Sequence, residues 1–283
     1  MKCFMFLVMI ALANARVFNK NDCDGIVVNG ISHDKEILKD YVDKPYQLAI
    51  DYNTNVLYFS YTTKDAHEVF ALAYLNLKTN EFGLIKGVNG GFANGVDENT
   101  HSVYFGGNDG IYKLNSDSKR ATNLGVTDKN VWQLFYKDGL YFTTYPDEKA
   151  YVYKNNAVSR VTEIANTRAM LIGVDNAQNI IFSNSSGLFL YTKENKITTH
   201  VGDYTLNSIT KDINGNIYFS SPTGIYSMDE KTKAVKKLAT IINIYGIVIE
   251  SDGSIIYASD NKIIRLKSTG KECLPELDVK IYP

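Results

Sequence analysis

LAIDYNTNVLYFS (residues 48–60), NGVDENTHSVYFG (94–106) and SITKDINGNIYFS (208–220) are three copies of one pattern. Each runs from an apolar stretch through an acidic or Asn/Gly turn into a Tyr/Phe-rich strand. Three looser copies follow the same order: QLFYKDGLYFT (133–143), IGVDNAQNIIFS (172–183) and VIESDGSIIYAS (248–259). The first residue of the repeated aromatic or apolar pair falls at Tyr58, Tyr104, Tyr141, Ile181, Tyr218 and Tyr257, with spacings of 46, 37, 40, 37 and 39 residues. Short strands recurring about every forty residues are the mark of four-stranded propeller blades. The chain is therefore expected to be all-β, a six-bladed β-propeller, with blades near 46–88, 91–126, 130–166, 168–203, 205–242 and 244–280.

Within each unit an inner strand meets a turn whose Asn and Gly residues tolerate positive φ. The second strand is aromatic, and the third reads GIYKL (110–114), GLFLY (187–191), GIYSM (224–228) or KIIRL (262–266). Outer strands such as KAVKKLA (233–239) are lysine-rich, which keeps an exposed sheet edge from pairing with other chains. Most of the 20 Tyr and 13 Phe are accounted for by blades packing face to face. The acidic residues that recur, Asp51, Asp97, Asp175 and Asp212, sit where the inner strands end and read as turn formers.

The termini add two expectations. Residues 1–15, MKCFMFLVMIALANA, carry one basic residue, an apolar run and an Ala-x-Ala end, and read as a secretory signal peptide too short for a membrane span. The mature chain, 16–283, is then a single domain. Loss of the leader removes Cys3 and leaves Cys23 and Cys273, an even pair that in an oxidising compartment reads as a disulfide closing first blade onto last. The segment 24–41 precedes the first repeat and is expected to supply an outer strand to the last blade. Asn184-Ser185-Ser186 is the only N-glycosylation sequon. A net charge of −1 provides no electrostatic footprint for nucleic acid or an anionic membrane.

Propeller ligands sit where the inner strands begin. The six aligned positions there are Tyr46, Phe92, Trp132, Met170, Asn207 and Tyr245, followed by Gln47, Ala93, Gln133, Leu171, Ser208 and Gly246. Aromatic rings, a thioether and a few amides around one mouth suit a planar aromatic ligand. The same side chains would equally plug the channel and stiffen the ring. Arg168, two residues before Met170, offers a planar fork to an anionic ligand or is a solvated loop charge.

Enzymatic readings find less. Six-bladed lactonases bind a divalent cation through Glu, Asn and Asp, because hard cations take oxygen ligands. Here Asn94 and Asn207 are the only counterparts, and two neutral amides hold calcium poorly. The four histidines have no metal-ligand spacing, and neither a nucleophile elbow nor a P-loop occurs. No catalytic residue, metal or cofactor is expected. The alternatives left open are a metal-dependent lactonase or esterase of the same architecture and an extracellular protein-interaction propeller.

DKPYQLAID (43–51), GFANGVDENTHSVYFGGNDGIYKL (91–114) and FSNSSGLFLY (182–191), together with the leader and the terminal cysteines, resemble the secreted ommochrome-binding proteins of insects. The resemblance spans the mature chain. It implies a haemolymph carrier for ommochromes, tryptophan-derived phenoxazinone pigments, without enzymatic activity. The family supplies the ligand; the residues come from the repeat alignment. Those offered as ligand-binding are Tyr46, Gln47, Phe92, Asn94, Trp132, Gln133, Arg168, Met170, Asn207, Ser208 and Tyr245.

Overall fold

The computed structural model describes residues 23–64 and 69–273. The expected signal peptide, residues 1–15, His67 and the last ten residues lie outside them. Six antiparallel sheets form the blades of a propeller, five of four strands and one of five. The inner strands are Tyr46–Asp51, Ala93–Asp97, Val131–Tyr136, Leu171–Val174, Ser208–Lys211 and Ile244–Ile249 in blades 1 to 6. The second strands carry the repeated pair, and period-two alternation sends its members to opposite faces. Phe59, Phe105, Phe142, Phe182 and Phe219 are fully buried.

The recurring acids form turns, as their position implies. Asp51 accepts the Asn53 amide at 3.1 Å and the Thr54 hydroxyl at 2.6 Å. Asp97 repeats this with Asn99 and Thr100 at 2.9 and 2.7 Å. In blades 4 and 5 an asparagine replaces the threonine: Asp175 holds the Asn179 side chain at 2.8 Å, and Asp212 holds that of Asn216 at 2.7 Å. Each carboxylate satisfies backbone donors that would otherwise stay unpaired as the chain reverses.

The ring closes through the N-terminal segment. Strand Ile31–Lys39 pairs antiparallel with Lys262–Glu272, so the fourth strand of blade 6 comes from the start of the chain; the end of the expected blade, 274–280, lies outside the described residues. A short strand, Ile26–Val28, adds a fifth. Two clasps fasten the joint. The disulfide Cys23–Cys273 has a Cα–Cα distance of 6.1 Å. Arg265 donates from Nη2 to Glu250 at 2.8 Å and from Nη1 to Glu36 at 2.9 Å, while Lys267 lies 3.1 Å from Glu36.

Around the channel, blades alternate between large and small residues. A side chain at Gly95 would meet Leu134 at 3.0 Å, one at Gly173 would meet Ile209 at 2.7 Å, and one at Gly246 would meet Leu48 at 3.1 Å. Aliphatic residues of blades 1, 3 and 5 thus fill the space left by glycines of blades 6, 2 and 4. Small barrels use the same alternation to fit inner strands into a tapering ring.

Candidate functional site

The inner strands of blades 1, 3 and 6 break register where they begin, between Tyr46 and Ala49, Val131 and Gln133, and Ile244 and Gly246. Trp132 and Tyr245 are the unpaired residues of two of these bulges. In the third, Gln47 takes a left-handed φ of 50°. A bulge re-aims a side chain that a regular strand would commit to a sheet face. Here the re-aimed rings meet Tyr46 and Phe92 at the channel mouth, Tyr245 against the former and Trp132 against the latter.

The result is a continuous arc of rings. Tyr245 and Tyr46 have centroids 5.2 Å apart, Tyr46 and Phe92 5.6 Å, Phe92 and Trp132 4.5 Å, and Trp132 and Tyr145 5.4 Å. Phe70 fills the angle between Tyr46 and Phe92, 4.6 Å from the latter. Phe92 is buried, Tyr46, Phe70, Trp132 and Tyr245 are half-buried, and Tyr145 is exposed. Burial, with smaller contributions from Tyr245 and Asp43, pushes the Tyr46 phenol above its ordinary pKa. Met170 and Asn207 complete the circle on blades 4 and 5.

Phe70 and Tyr145 are absent from the sequence alignment of inner strands. Phe70 opens the third strand of blade 1 opposite Thr62, and Tyr145 follows the second strand of blade 3. In an antiparallel blade those positions face the same mouth as the start of the inner strand. Strand direction was the signal that would have found them.

The polar residues beside the arc are largely committed to joining blades. Gln133 is 2% exposed, and its amide donates to Ile172 O at 3.0 Å and accepts the Ile172 amide at 2.9 Å. Ser208 pairs with the Ser220 hydroxyl at 2.8 Å and accepts the Ile247 amide at 3.2 Å. Asn207 donates its side-chain amide to Ile244 O. These three stitch blade 3 to 4 and blade 5 to 6, so ligand reading by them requires breaking a bond the fold already uses.

Asn94 is different. Its Nδ2 donates to Gln47 O at 2.8 Å and Phe92 O at 3.3 Å, but its Oδ1 is buried with no hydrogen-bond partner, and the residue is 3% exposed. Among the described residues the Gln47 side chain has no hydrogen-bond partner, and it remains half-buried at the mouth. Arg168 is 63% exposed, with its Nε 3.5 Å from Glu148 Oε2. Asn184 lies on the same side of the propeller and donates to Arg168 O at 3.2 Å.

Beneath the arc the channel narrows to a cavity of about 60 Å³ lined by Leu48, Asn94, Leu134 and Ile209. A water needs roughly 10–15 Å³ by this measure, whereas ligand pockets span about 300–1,000 Å³. A space of that size has room for a few waters and is too small for a fused-ring pigment. Its far end is spanned by Lys211 Nζ and Glu98 Oε1, 2.8 Å apart, and by Tyr52, whose hydroxyl donates to Ile249 O at 2.9 Å. A larger concavity, about 520 Å³, opens instead between blades 5 and 6 beside Ile37, Ile241, Ile242 and Tyr257. Among the described residues no group of three or more His, Cys, Asp or Glu side chains is arranged to hold a metal ion, and no helix is long and apolar enough to cross a membrane.

No family model matches the chain. A curated protein of Manduca sexta, the ommochrome-binding protein, is 39% identical over 268 residues, which cover 93% of this chain and 97% of that one. Among solved structures, a gluconolactonase of Xanthomonas campestris has a TM-score of 0.68 at 12% identity, over 87% of this chain and 96% of its own. The calcium-binding protein regucalcin of Agrobacterium tumefaciens has a TM-score of 0.61 at 11% identity, over 87% and 98%. At such identities the solved structures share the fold alone.

Proposed function

This chain belongs to the family of the Manduca sexta ommochrome-binding protein, and from that premise we propose that it is a secreted, non-enzymatic carrier that binds an ommochrome on the aromatic arc at the propeller mouth. The observation that carries the reading is the arc itself, six rings in unbroken contact from Tyr245 to Tyr145. A fused planar pigment gains offset stacking against such rings, each pair contributing about 0.5–1.5 kcal/mol beyond area burial.

The ligand lies against the outer side of the arc, since the cavity below is too small for it. Trp132, Tyr46 and Tyr245, half-buried, form the surface it contacts, with Met170 as a thioether edge. Gln47 and Arg168 read its carbonyl and carboxylate oxygens. Asn94, whose buried Oδ1 acceptor lies below the arc, reaches the ligand only through a bridging water. The disulfide fits an extracellular fluid such as haemolymph, where the thiols stay oxidised.

A saturable titration with an ommochrome, read by the shift of its visible band, tests this. Hydrolysis of lactones or aryl esters by the purified protein, without pigment binding, would favour the lactonase reading of the same architecture. Co-purification of a protein with the exposed loops, again without pigment binding, would favour an interaction scaffold.

A further inference from the structure

Glu148 sits at one end of the arc for reasons of backbone, not of charge. It occupies the turn after Tyr145, with a left-handed φ of 50°. Main-chain bonds hold that turn: Glu148 N to Thr144 O at 3.0 Å, Thr144 N to Lys149 O at 3.1 Å, and Ala169 N to Glu148 O at 2.8 Å. The last of these fixes the turn to Arg168–Met170 of the next blade, and the Thr143 hydroxyl adds a bond to Met170 O at 2.8 Å. Neither the Glu148 carboxylate nor the Arg168 guanidinium is needed to make the junction.

Yet the two charges are brought together at the rim. Glu148 is 18% exposed, and its Oε2 is buried, 3.5 Å from Arg168 Nε, without a hydrogen bond. Arg168 is 63% exposed, and among the described residues no other acid engages its fork. An under-bonded carboxylate and an open guanidinium on the junction that follows Tyr145, the last ring of the arc, form a recognisable set. A carboxylate accepts from an ammonium, a guanidinium fork grips a carboxylate in two parallel bonds, and the rings take a flat aromatic body.

We propose that Glu148 and Arg168 form a receptor for an α-amino acid group carried by an aromatic ligand, and so select pigments that retain a free amino acid chain. The proposal rests on the pigment reading above and adds the head group to it. The ligand's ammonium takes the partly exposed Glu148 carboxylate, its carboxylate takes the Arg168 fork, and one loose ion pair becomes two close ones. The Trp132–Tyr145 end of the arc holds the adjoining ring.

The test uses three forms of one phenoxazinone pigment: with a free α-amino acid chain, with that chain N-acetylated, and with its carboxyl methylated. Each is titrated against the intact protein and the variants Glu148→Gln and Arg168→Gln. N-acetylation is expected to weaken binding to the unmodified protein about tenfold or more, as loss of a charged hydrogen bond does. That penalty disappears in Glu148→Gln, and the methylation penalty disappears in Arg168→Gln. Saturable binding indifferent to both modifications overturns the head-group proposal alone. A variant that weakens all three forms equally also overturns it, since a structural role moves every ligand together. Absence of saturable binding by the free pigment overturns the pigment reading, and this proposal with it. The two chemical modifications test the proposal on the unmodified protein even if a variant fails to fold.

Discussion

Phe92 and Trp132 belong to adjacent blades, yet their ring centroids stand 4.5 Å apart with planes inclined by 31°. Phe92 is buried and Trp132 half-buried, so the contact has a sealed inner member and an accessible outer one. That division decides which residue to alter. Phe92→Ala would open a cavity and cost about 3–5 kcal/mol of stability. Trp132→Ala is expected to leave the fold cooperative while weakening pigment binding by about 1 kcal/mol or more, measured by titration at constant folded fraction.

Gln133→Ala should act in the opposite way. The Ile172 amide and carbonyl lose their partners across the blade junction. Urea unfolding is expected to show a loss of about 1–3 kcal/mol, the cost of buried polar groups left unsatisfied. Affinity per folded molecule should stay unchanged. A large affinity loss at unchanged stability would return Gln133 to the ligand site.

Reducing Cys23–Cys273 opens a loop 250 residues apart in sequence. The chain-entropy estimate gives about 5 kcal/mol for a loop of that size. Cys23→Ser with Cys273→Ser is expected to lower the unfolding midpoint sharply and leave blade 6 the first to exchange its amides. An unchanged midpoint would mean that strand Ile31–Lys39 and the Arg265 clasp close the ring without it.

Acid should loosen the same joint. Burial pushes the Glu36 carboxyl up, but hydrogen bonds and charges from Arg265 and Lys267 outweigh it and hold its pKa below the ordinary value of 4.5. A depressed folded pKa means the unfolded chain binds the proton more readily. The stabilisation is complete above the unfolded pKa and is lost as pH falls through the folded one. Stability measured from pH 6 downward should therefore decline below about pH 4.5, and Glu36→Gln should flatten that part of the curve. An identical acid profile in the variant would assign the decline to other carboxylates.

Gly173→Ala probes the channel packing. Its new Cβ would lie 2.7 Å from Ile209 Cγ2. Overpacking of this kind costs about 1–3 kcal/mol, and the companion change Ile209→Val should recover part of it. Failure of the second change to compensate would show that the glycine is required by something other than Ile209.

The features legible in the sequence were those made by local chemistry. The repeat follows from strand alternation, and Asp51, Asp97, Asp175 and Asp212 fall in turns because each carboxylate bonds donors two to four residues away. The closing strand was legible too, as a β-prone segment, 24–41, lying ahead of the first repeat with no blade of its own. What escaped reading depends on the closed ring. The bulges at Trp132 and Tyr245 are breaks in the register of paired strands, which the sequence of a single repeat does not display. Gln133 looks like a free amide until Ile172, 39 residues on, is placed beside it. Phe70, Tyr145 and Glu148 reach the mouth from strands and turns that an alignment of inner strands does not sample.

The central claim is that pigment stacks on the arc, not in the 520 Å³ groove between blades 5 and 6. Trp132, the only tryptophan of the chain, lies in blade 3 and reports on the arc directly. The decisive measurement is its fluorescence during titration with an ommochrome, recorded together with the pigment's visible band. The account predicts saturable quenching of Trp132 that follows the band shift with the same midpoint. A band shift that saturates while Trp132 emission stays constant, after correction for pigment absorption, would contradict it and place the ligand elsewhere on the propeller.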